Sequence, residues 1–316
     1  MFPDAVIFRS IDRSSGWENL KRRLKKILSE VLPPKDLAYV YNSYDIVGDI
    51  AILRLTGTYK MYSRITAETI MKVHKNVRKV LAQTGSVQGD FRLRRLEHIA
   101  GENRTTTVHK ESGCLFSVDV EKCYFSPRLF YERMRIAKLV KKDEVVVNMF
   151  AGIGCFSINI AKHSNAKKVY SIDVNPAAIQ YMQENVRVNG VYGKVVPMLG
   201  DAKDVIEKRL YHLADRVLMP LPEKALEYLP YALLALKEAQ GWIHYYDFEH
   251  AKRHENPIQK IKLKVTEKLE SLGVAFEIPF GRVVRSTGPN WYQVVLDIKA
   301  NFAHNHFVAR VANQAK

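Results

Sequence analysis

Cysteine is scarce, with 3 in 316 residues, and Cys114, Cys123 and Cys155 show no CxxC spacing. That excludes a disulfide-stapled scaffold and a zinc ribbon, and the thiols read as reduced groups of an intracellular, cytoplasmic protein. Long apolar runs are also missing. No stretch reaches about 18 residues free of charge, the length a membrane span needs. The opening MFPDAVIFRSIDR carries charge too early for a secretory signal. Neither GxGxxG nor GxxxxGK[ST] occurs, which argues against a nicotinamide dinucleotide and against a P-loop nucleotidase. Acids are outnumbered: 49 Lys and Arg face 33 Asp and Glu, leaving +16. Such a surplus favours a polyanionic partner, nucleic acid above all, through phosphate contacts and counterion release. The length suits one large domain and a smaller one, and 47% hydrophobic residues supply their cores.

Along the chain, SGWENLKRRLKKILSEVL (15–32) has the spacing of an amphipathic basic helix, stopped by Pro33 and Pro34. YDIVGDIAILRL from Tyr44 alternates as a strand or hairpin. AETIMKVHKNVRKVLAQTG (67–85) reads as one helix closed by Gly85. RTTTVHKESGCLFSVDV reads as two strands around a Ser112-Gly113 turn. These segments define residues 1–35 as a basic helix region and 36–120 as a small α+β domain. Lys75, Arg78, Lys79 and Arg92 to Arg95 are its expected RNA grip. From 121 to 316 strand and helix alternate, closed by the pair AFEIPFGRVV and WYQVVLDIKA. This pattern predicts an α/β fold, a doubly wound, mostly parallel sheet with helices on both faces.

The chemistry is expected where the strand VVVN meets the turn AGIG. In such sheets the ligand sits beyond the carboxyl ends of the strands, at the first strand–turn–helix. Gly152 and Gly154 let a ligand lie against bare backbone, with Phe150 beside it. Asp173 ends the next strand and is placed to hold both hydroxyls of a ribose. Asp201 ends the third and is placed to accept from an adenine amino group, with the Ala202 N–H donating. A plainer role is open to each aspartate, as a helix N-cap. His244, Tyr245 and Tyr246 suit a pocket wall or a core equally.

Taken in order from Tyr44 to Phe248, YDIVGDIAIL, RLRRLEHIAGENRTTTVHKESG, VDVEKCYFSPRLFYERMRIAKLV, NMFAGIGCFSINIAK, IDVNP, GDA, DRVLMPLP and IHYYDF resemble the archaeal and eukaryotic tRNA (guanine-37-N1)-methyltransferases. The wybutosine-pathway aminocarboxypropyl transferases share that fold. The resemblance implies a class I S-adenosylmethionine-dependent methyltransferase fold over 121–316, S-adenosyl-L-methionine as cofactor, tRNA as partner and a monomer. It implies Glu132 as the base that takes the guanine N1 proton and Arg92 as the group that steadies O6. Tyr124, Arg128, Arg133, Asn148, Phe150, Gly152, Asp173, Val174, Asp201 and Ala202 are the implied cofactor contacts. Pro220, Leu221 and Pro222 are the implied contacts to the base. The chemistry asks for these residue types. N1 is a poor nucleophile until its proton leaves, so a carboxylate is needed there. The charge then spreads onto O6, where a guanidinium stabilises it.

Three departures mark the resemblance. Asn148 stands where the family has Asp. Pro220-Leu221-Pro222 stands where many members carry Asn-Leu-Pro, and proline offers no donor. Some relatives with a proline-rich loop also accept a tricyclic wyosine intermediate. Only residues 1–43 precede Tyr44, so a module that checks the tRNA elbow is expected to be absent or reduced to one helix. Asp173-Val174-Asn175-Pro176 and Met219-Pro220-Leu221 lean away from the aminocarboxypropyl branch. An idle RNA-binding relative is the third reading.

Overall fold

The computed structural model describes residues 26–30, 32, 34, 44–54, 62–85, 87, 89, 91–237 and 240–301. The chain divides into two compact units, residues 1–88 with 94–107, and residues 89–93 with 108–316. Most of the helix expected over 15–32 lies outside the described residues. Lys26 to Ser29 are helical, and Leu28 and Leu32 enter the core of the smaller unit.

The smaller unit contains β1 (Tyr44–Val47), β2 (Ile50–Arg54), α1 (Ser63–Val73), β3 (Lys79–Gln83) and β4 (Leu96–Gly101), in a sheet ordered β1-β2-β3-β4. The single helix expected over 67–85 is therefore two elements. Strands β2 and β3 pair in parallel, and a parallel pair needs a crossover between its members; α1 is that crossover. It ends where the His74 N–H donates to the Ile70 carbonyl (2.8 Å) and the His74 ring meets the Tyr44 hydroxyl (2.7 Å). The next apolar residues, Val80, Leu81 and Ala82, are buried between β2 and β4. Tertiary pairing overrides a helical periodicity here. It also changes the expected RNA grip. Lys79 is buried, and so is Arg94, whose guanidinium lies 3.8 Å from the Asp45 carboxylate. Lys75 and Arg78 are exposed.

A hairpin follows, β5 (Thr106–Glu111) and β6 (Cys114–Asp119). Ser112 (φ 50°) and Gly113 (φ 74°) both take the left-handed conformation that a tight two-residue hairpin turn requires. The boundary expected at 120 falls instead at 107/108, and the reason lies in two asparagines of α4 (Pro176–Val188) and its cap. Asn185 Oδ1 accepts from the Ser117 N–H (2.7 Å) and its amide donates to the Ser117 carbonyl (3.1 Å). Asn189 makes the same pair of hydrogen bonds to Leu115, accepting from its N–H (2.9 Å) and donating to its carbonyl (2.7 Å). The helix thus offers β6 a side-chain ladder in place of a neighbouring strand, which ties the hairpin to the larger unit.

That unit is built on a seven-stranded sheet. Its elements are a 3₁₀ turn at Pro127–Leu129, α2 (Phe130–Leu139), β7 (Val145–Asn148), α3 (Cys155–His163), β8 (Lys168–Asp173), α4, β9 (Val195–Leu199), α5 (Ala202–Arg209), β10 (Arg216–Met219), α6 (Ala225–Ala235), β11 (Gln240–His250), α7 (Pro257–Ser271), β12 (Ala275–Gly288) and β13 (Trp291–Asn301). The order is β12-β13-β11-β10-β7-β8-β9. Strands β7 to β11 pair in parallel, and β13 runs antiparallel to both β11 and β12. The strands facing two helical layers are apolar along their length, as doubly covered parallel strands must be. The strand order reverses between β7 and β10, and a crevice opens at such a switch point.

Candidate active site

A cavity of about 420 Å³ occupies that crevice. Ten of the residues singled out from the sequence line it: Arg92, Tyr124, Phe150, Gly152, Asp173, Val174, Asp201, Ala202, Pro220 and Leu221. Sequence reasoning missed others. Phe91 lies next to Arg92, and Tyr228 packs edge-on against Phe150 at 5.3 Å between ring centroids. Tyr228 carried no signal, since an aromatic residue on the apolar helix α6 reads as core.

The turn after β7 is held by the next strand. The Gly152 N–H donates to Asp173 Oδ2 (2.7 Å) and the Asn175 N–H to Oδ1 (2.9 Å). Burial pushes the Asp173 carboxyl up, against these two backbone donors. Gly152 (φ 55°) and Gly154 (φ 89°) are both left-handed. A Cβ on Gly152 would find open space, 3.9 Å from the Tyr124 carbonyl, whereas one on Gly154 would stand 2.7 Å from Met182 Cγ. The first glycine therefore leaves backbone bare toward the cavity, and the second lets α3 seat against α4. Asp201 is a helix N-cap that also lines the cavity. It caps α5 by accepting from the Lys203 N–H (2.8 Å), it takes the Tyr228 hydroxyl (2.7 Å), and it lines the cavity.

Glu132, Arg128, Arg133, Asn148 and Pro222 are not among the lining residues. Arg133 is buried and bonded to Glu111 and to the Ser126 carbonyl, so it is a packing group rather than a ligand contact. Arg128 is exposed on the 3₁₀ turn, and Pro222 is buried as the first residue of another, Pro222–Lys224. Asn148 is fully buried at the end of β7. It donates to Ser157 Oγ (3.1 Å), and its Oδ1 has no partner. His244, Tyr245 and Tyr246 are buried as well.

Glu132 is 1% exposed on α2. Arg135 Nη2 donates to Oε1 (2.7 Å), Arg282 Nη2 to Oε2 (2.5 Å) and the Tyr246 hydroxyl to Oε1 (2.8 Å). Burial pushes this carboxyl up, but Arg135, Arg282 and Tyr246 together outweigh it and hold it below the usual range. Arg135 is itself fixed by Asp297, which the buried His244 also binds (2.6 Å). Tyr246 follows Tyr245, the register partner of Met219 at the end of β10. Glu132 is thus tied to the carboxyl edge of the sheet, one residue beyond the strand that leads into Pro220.

Arg92 arrives by the short segment 89–93, which interrupts the smaller unit in sequence but counts with the larger. It is left-handed (φ 53°), uncommon for a bulky residue. Its guanidinium lies 4.4 Å over the Tyr124 ring and 3.1 Å from Glu223, and its Nε is buried without a partner.

Five parallel strands closed by an antiparallel pair, a glycine turn after the first and aspartates ending or following the next two define a class I S-adenosylmethionine-dependent methyltransferase. The residues fit that cofactor: two carboxylates with spare lone pairs, two aromatic walls and a stretch of backbone without Cβ. Residues 107–272 match the family model described as the TRM5/TYW2 methyltransferase domain, and residues 24–105 match the TYW2 N-terminal domain. The chain belongs to the TRM5/TYW2 methyltransferase family, and its cofactor is S-adenosyl-L-methionine. It is similar to the tRNA (guanine(37)-N(1))-methyltransferase Trm5b of Pyrococcus abyssi, 39% identical over 90% of this chain and 83% of the relative. It is also 39% identical to the tRNA 4-demethylwyosine(37)-methyltransferase Taw21 of Saccharolobus solfataricus, over 84% of this chain and 97% of that one. Among solved structures, the complex of aTrm5 with tRNALeu superposes with a TM-score of 0.75 at 37% identity, covering 89% of this chain and 79% of that one.

Proposed function

We propose that this enzyme methylates N1 of the guanine at position 37 of tRNA, with Glu132 as the proton acceptor. The observation that carries the reading is Arg92, brought by its own segment to line the cavity beside Tyr124 and Pro220. A guanidinium there is aimed at the oxygen on which charge develops. S-adenosyl-L-methionine, held by Asp173, Asp201, Phe150 and the Gly152 turn, supplies an electrophilic methyl group. Glu132, kept ionised by Arg135 and Arg282, is in the protonation state a base needs, and accepts the proton that N1 loses. Tyr246, bonded to the same carboxylate, fixes the direction of its oxygens. The cavity walls of Phe150, Tyr124 and Leu221 keep water from the transfer.

Incubation with an unmodified tRNA transcript and methyl-labelled cofactor tests this, and label is expected in the RNA. Replacing the target guanine by adenine should abolish it. Glu132→Gln should slow transfer roughly 10²- to 10⁴-fold, the usual range for a positioned base, while cofactor affinity stays near the parent's. Turnover at the parent rate would reject Glu132 as the base. In a parallel incubation with cofactor labelled in its carboxypropyl carbons, label entering the RNA from those carbons alone would reject methylation in favour of the aminocarboxypropyl reaction, and RNA binding without transfer would leave an idle relative.

A second reading draws support from the loop after β10. Pro220 and Pro222 present no N–H to a base, which suits a tricyclic wyosine intermediate with fewer edge groups to satisfy. A tRNA carrying 4-demethylwyosine, assayed beside the guanine transcript, separates the two substrates.

A further inference from the structure

His244 is a buried titratable ring that the proposed chemistry leaves unused. It lies within β11, fully buried, and is the register partner of Asp297 on β13. Tyr246 comes two residues later, so both side chains leave the same face of the strand. The two ring nitrogens have different partners. Nε2 lies 2.7 Å from Arg216 Nη1, and Nδ1 lies 2.6 Å from Asp297 Oδ1. A guanidinium can only donate, so Nε2 accepts and the ring proton sits on Nδ1, donated to Asp297. Arg216 of β10 is fixed in turn by Glu144 (2.8 Å) and the Leu139 carbonyl (3.1 Å). Burial pushes the His244 pKa down, Asp297 pushes it up, and Arg216 and Arg135 push it down again. The ring is therefore a neutral donor of one tautomer.

Asp297 carries this bond onward. It accepts from Arg135 Nη1 at Oδ2 (2.6 Å) and from Nη2 at Oδ1 (3.0 Å). The same guanidinium reaches Glu132 through Nε (3.0 Å) and Nη2 (2.7 Å). Arg135 is thus shared between two carboxylates, and its position is a balance between them. Glu132 is otherwise faced by Tyr246 of β11 and Arg282 of β12.

We propose that His244 is a positioning residue for the methyl transfer: its donation to Asp297 tempers that carboxylate's hold on Arg135 and keeps the guanidinium seated on Glu132. The inference rests on the reading of Glu132 as proton acceptor. Without the ring's donor, Asp297 has an unsatisfied oxygen and draws Arg135 toward itself. Glu132 then loses part of the charge that keeps it ionised, its pKa rises, and its oxygens turn from the direction the reaction uses. A buried ion cluster that only staples α2 to the sheet would show in stability, so rate and pH profile separate the two roles.

Two substitutions divide the bonds of the ring. His244→Asn keeps an N–H where Nδ1 stood and gives up the acceptor for Arg216. His244→Gln keeps an acceptor for Arg216 and gives up the donor to Asp297. With the full chain and an unmodified tRNA transcript, His244→Gln should lower kcat roughly 10- to 100-fold, the scale of a displaced reacting group. KM for tRNA should stay near the parent's, and the acid limb of the kcat–pH profile should move to higher pH. His244→Asn should recover most of the rate and the parent's limb, although it leaves Arg216 short of an acceptor and lowers the melting temperature. Equal losses of rate in the two variants, or a parent-like rate and limb in His244→Gln, would overturn the role. Should neither variant fold, nitrogen NMR of the parent labelled in its histidine rings decides. The Nδ1–H tautomer is expected at the assay pH, and an Nε2–H or doubly protonated His244 overturns the proposal. Glu132→Gln, assayed in the same series, keeps the failures apart. If it is slow while His244→Gln matches the parent, His244 alone loses its role; if it matches the parent, the base reading itself is rejected.

Discussion

At the scale of single residues, the α2 carboxylate proposed as the base is more constrained than that role requires. Two guanidinium groups and a phenol hold Glu132, and its affinity for protons falls accordingly. A base must be ionised to work, so activity is lost as pH falls through its pKa, and a depressed pKa sets that acid limb at low pH. Arg282 is the more exposed of the two arginines, at 31% against 15% for Arg135. Arg282→Gln removes one favourable charge, and the acid limb of the kcat–pH profile should move to higher pH. An unmoved limb would mean that another group sets it. Only the local part of this network is written in the sequence, where Arg135 follows Glu132 by three positions on one helix; Arg282 and Asp297 lie 150 and 162 residues from their partners and reach them only through the folded sheet.

Among the elements, the strand–turn–helix at β7 and α3 was the most readable, because its signal is local: an apolar run, two glycines, an apolar helix. The two glycines nonetheless do different work, and substitution separates them. Gly154→Ala puts a methyl group against Met182 in a strained backbone conformation, a cost on the order of 1–3 kcal/mol that should appear as a lowered urea midpoint. Gly152→Ala has room for its methyl group and should cost less stability, while weakening cofactor binding because the methyl group occupies the bare cradle. Equal losses of stability would refute this division. Strand β3 was unreadable for the opposite reason. KVHKNVRKVLAQ carries a helical period, and only the flanking strands β2 and β4 decide its state. The β5–β6 hairpin was legible in its alternation and its Ser112-Gly113 turn, but its place in the larger unit was not, since the bonds from Asn185 and Asn189 cross some 70 residues of sequence.

For the molecule as a whole, a doubly wound, mostly parallel sheet followed from the alternation of apolar and amphipathic segments, whereas its strand order is set by pairings between distant segments. The charge balance foretold a polyanionic partner but not which cations serve it. Burial of Lys79 and Arg94 removes two of the expected contacts and leaves Lys75 and Arg78 exposed. The affinity for tRNA should fall with salt, with a log–log slope steeper than about −3 for a grip of several phosphates. Lys75→Ala or Arg78→Ala should flatten that slope by roughly one unit, whereas Arg94→Ala should leave it unchanged. Filter binding between low and moderate salt measures both.

The side-chain ladder on β6 also gives the protein a chemical clock. Asn189 is followed by Gly190, the dipeptide most given to cyclisation and deamidation, and asparagine is among the thermolabile residues. Deamidation would replace the amide donor that serves Leu115 with a carboxylate oxygen, setting like against like. The fold postpones this. The Gly190 nitrogen that would attack is engaged with the Arg187 carbonyl, and the Asn189 amide is held at both ends. Heat ageing should therefore leave residue 189 intact in the native enzyme and produce isoaspartate there once the chain opens, so that peptide mapping of stored protein becomes a record of how often it has unfolded.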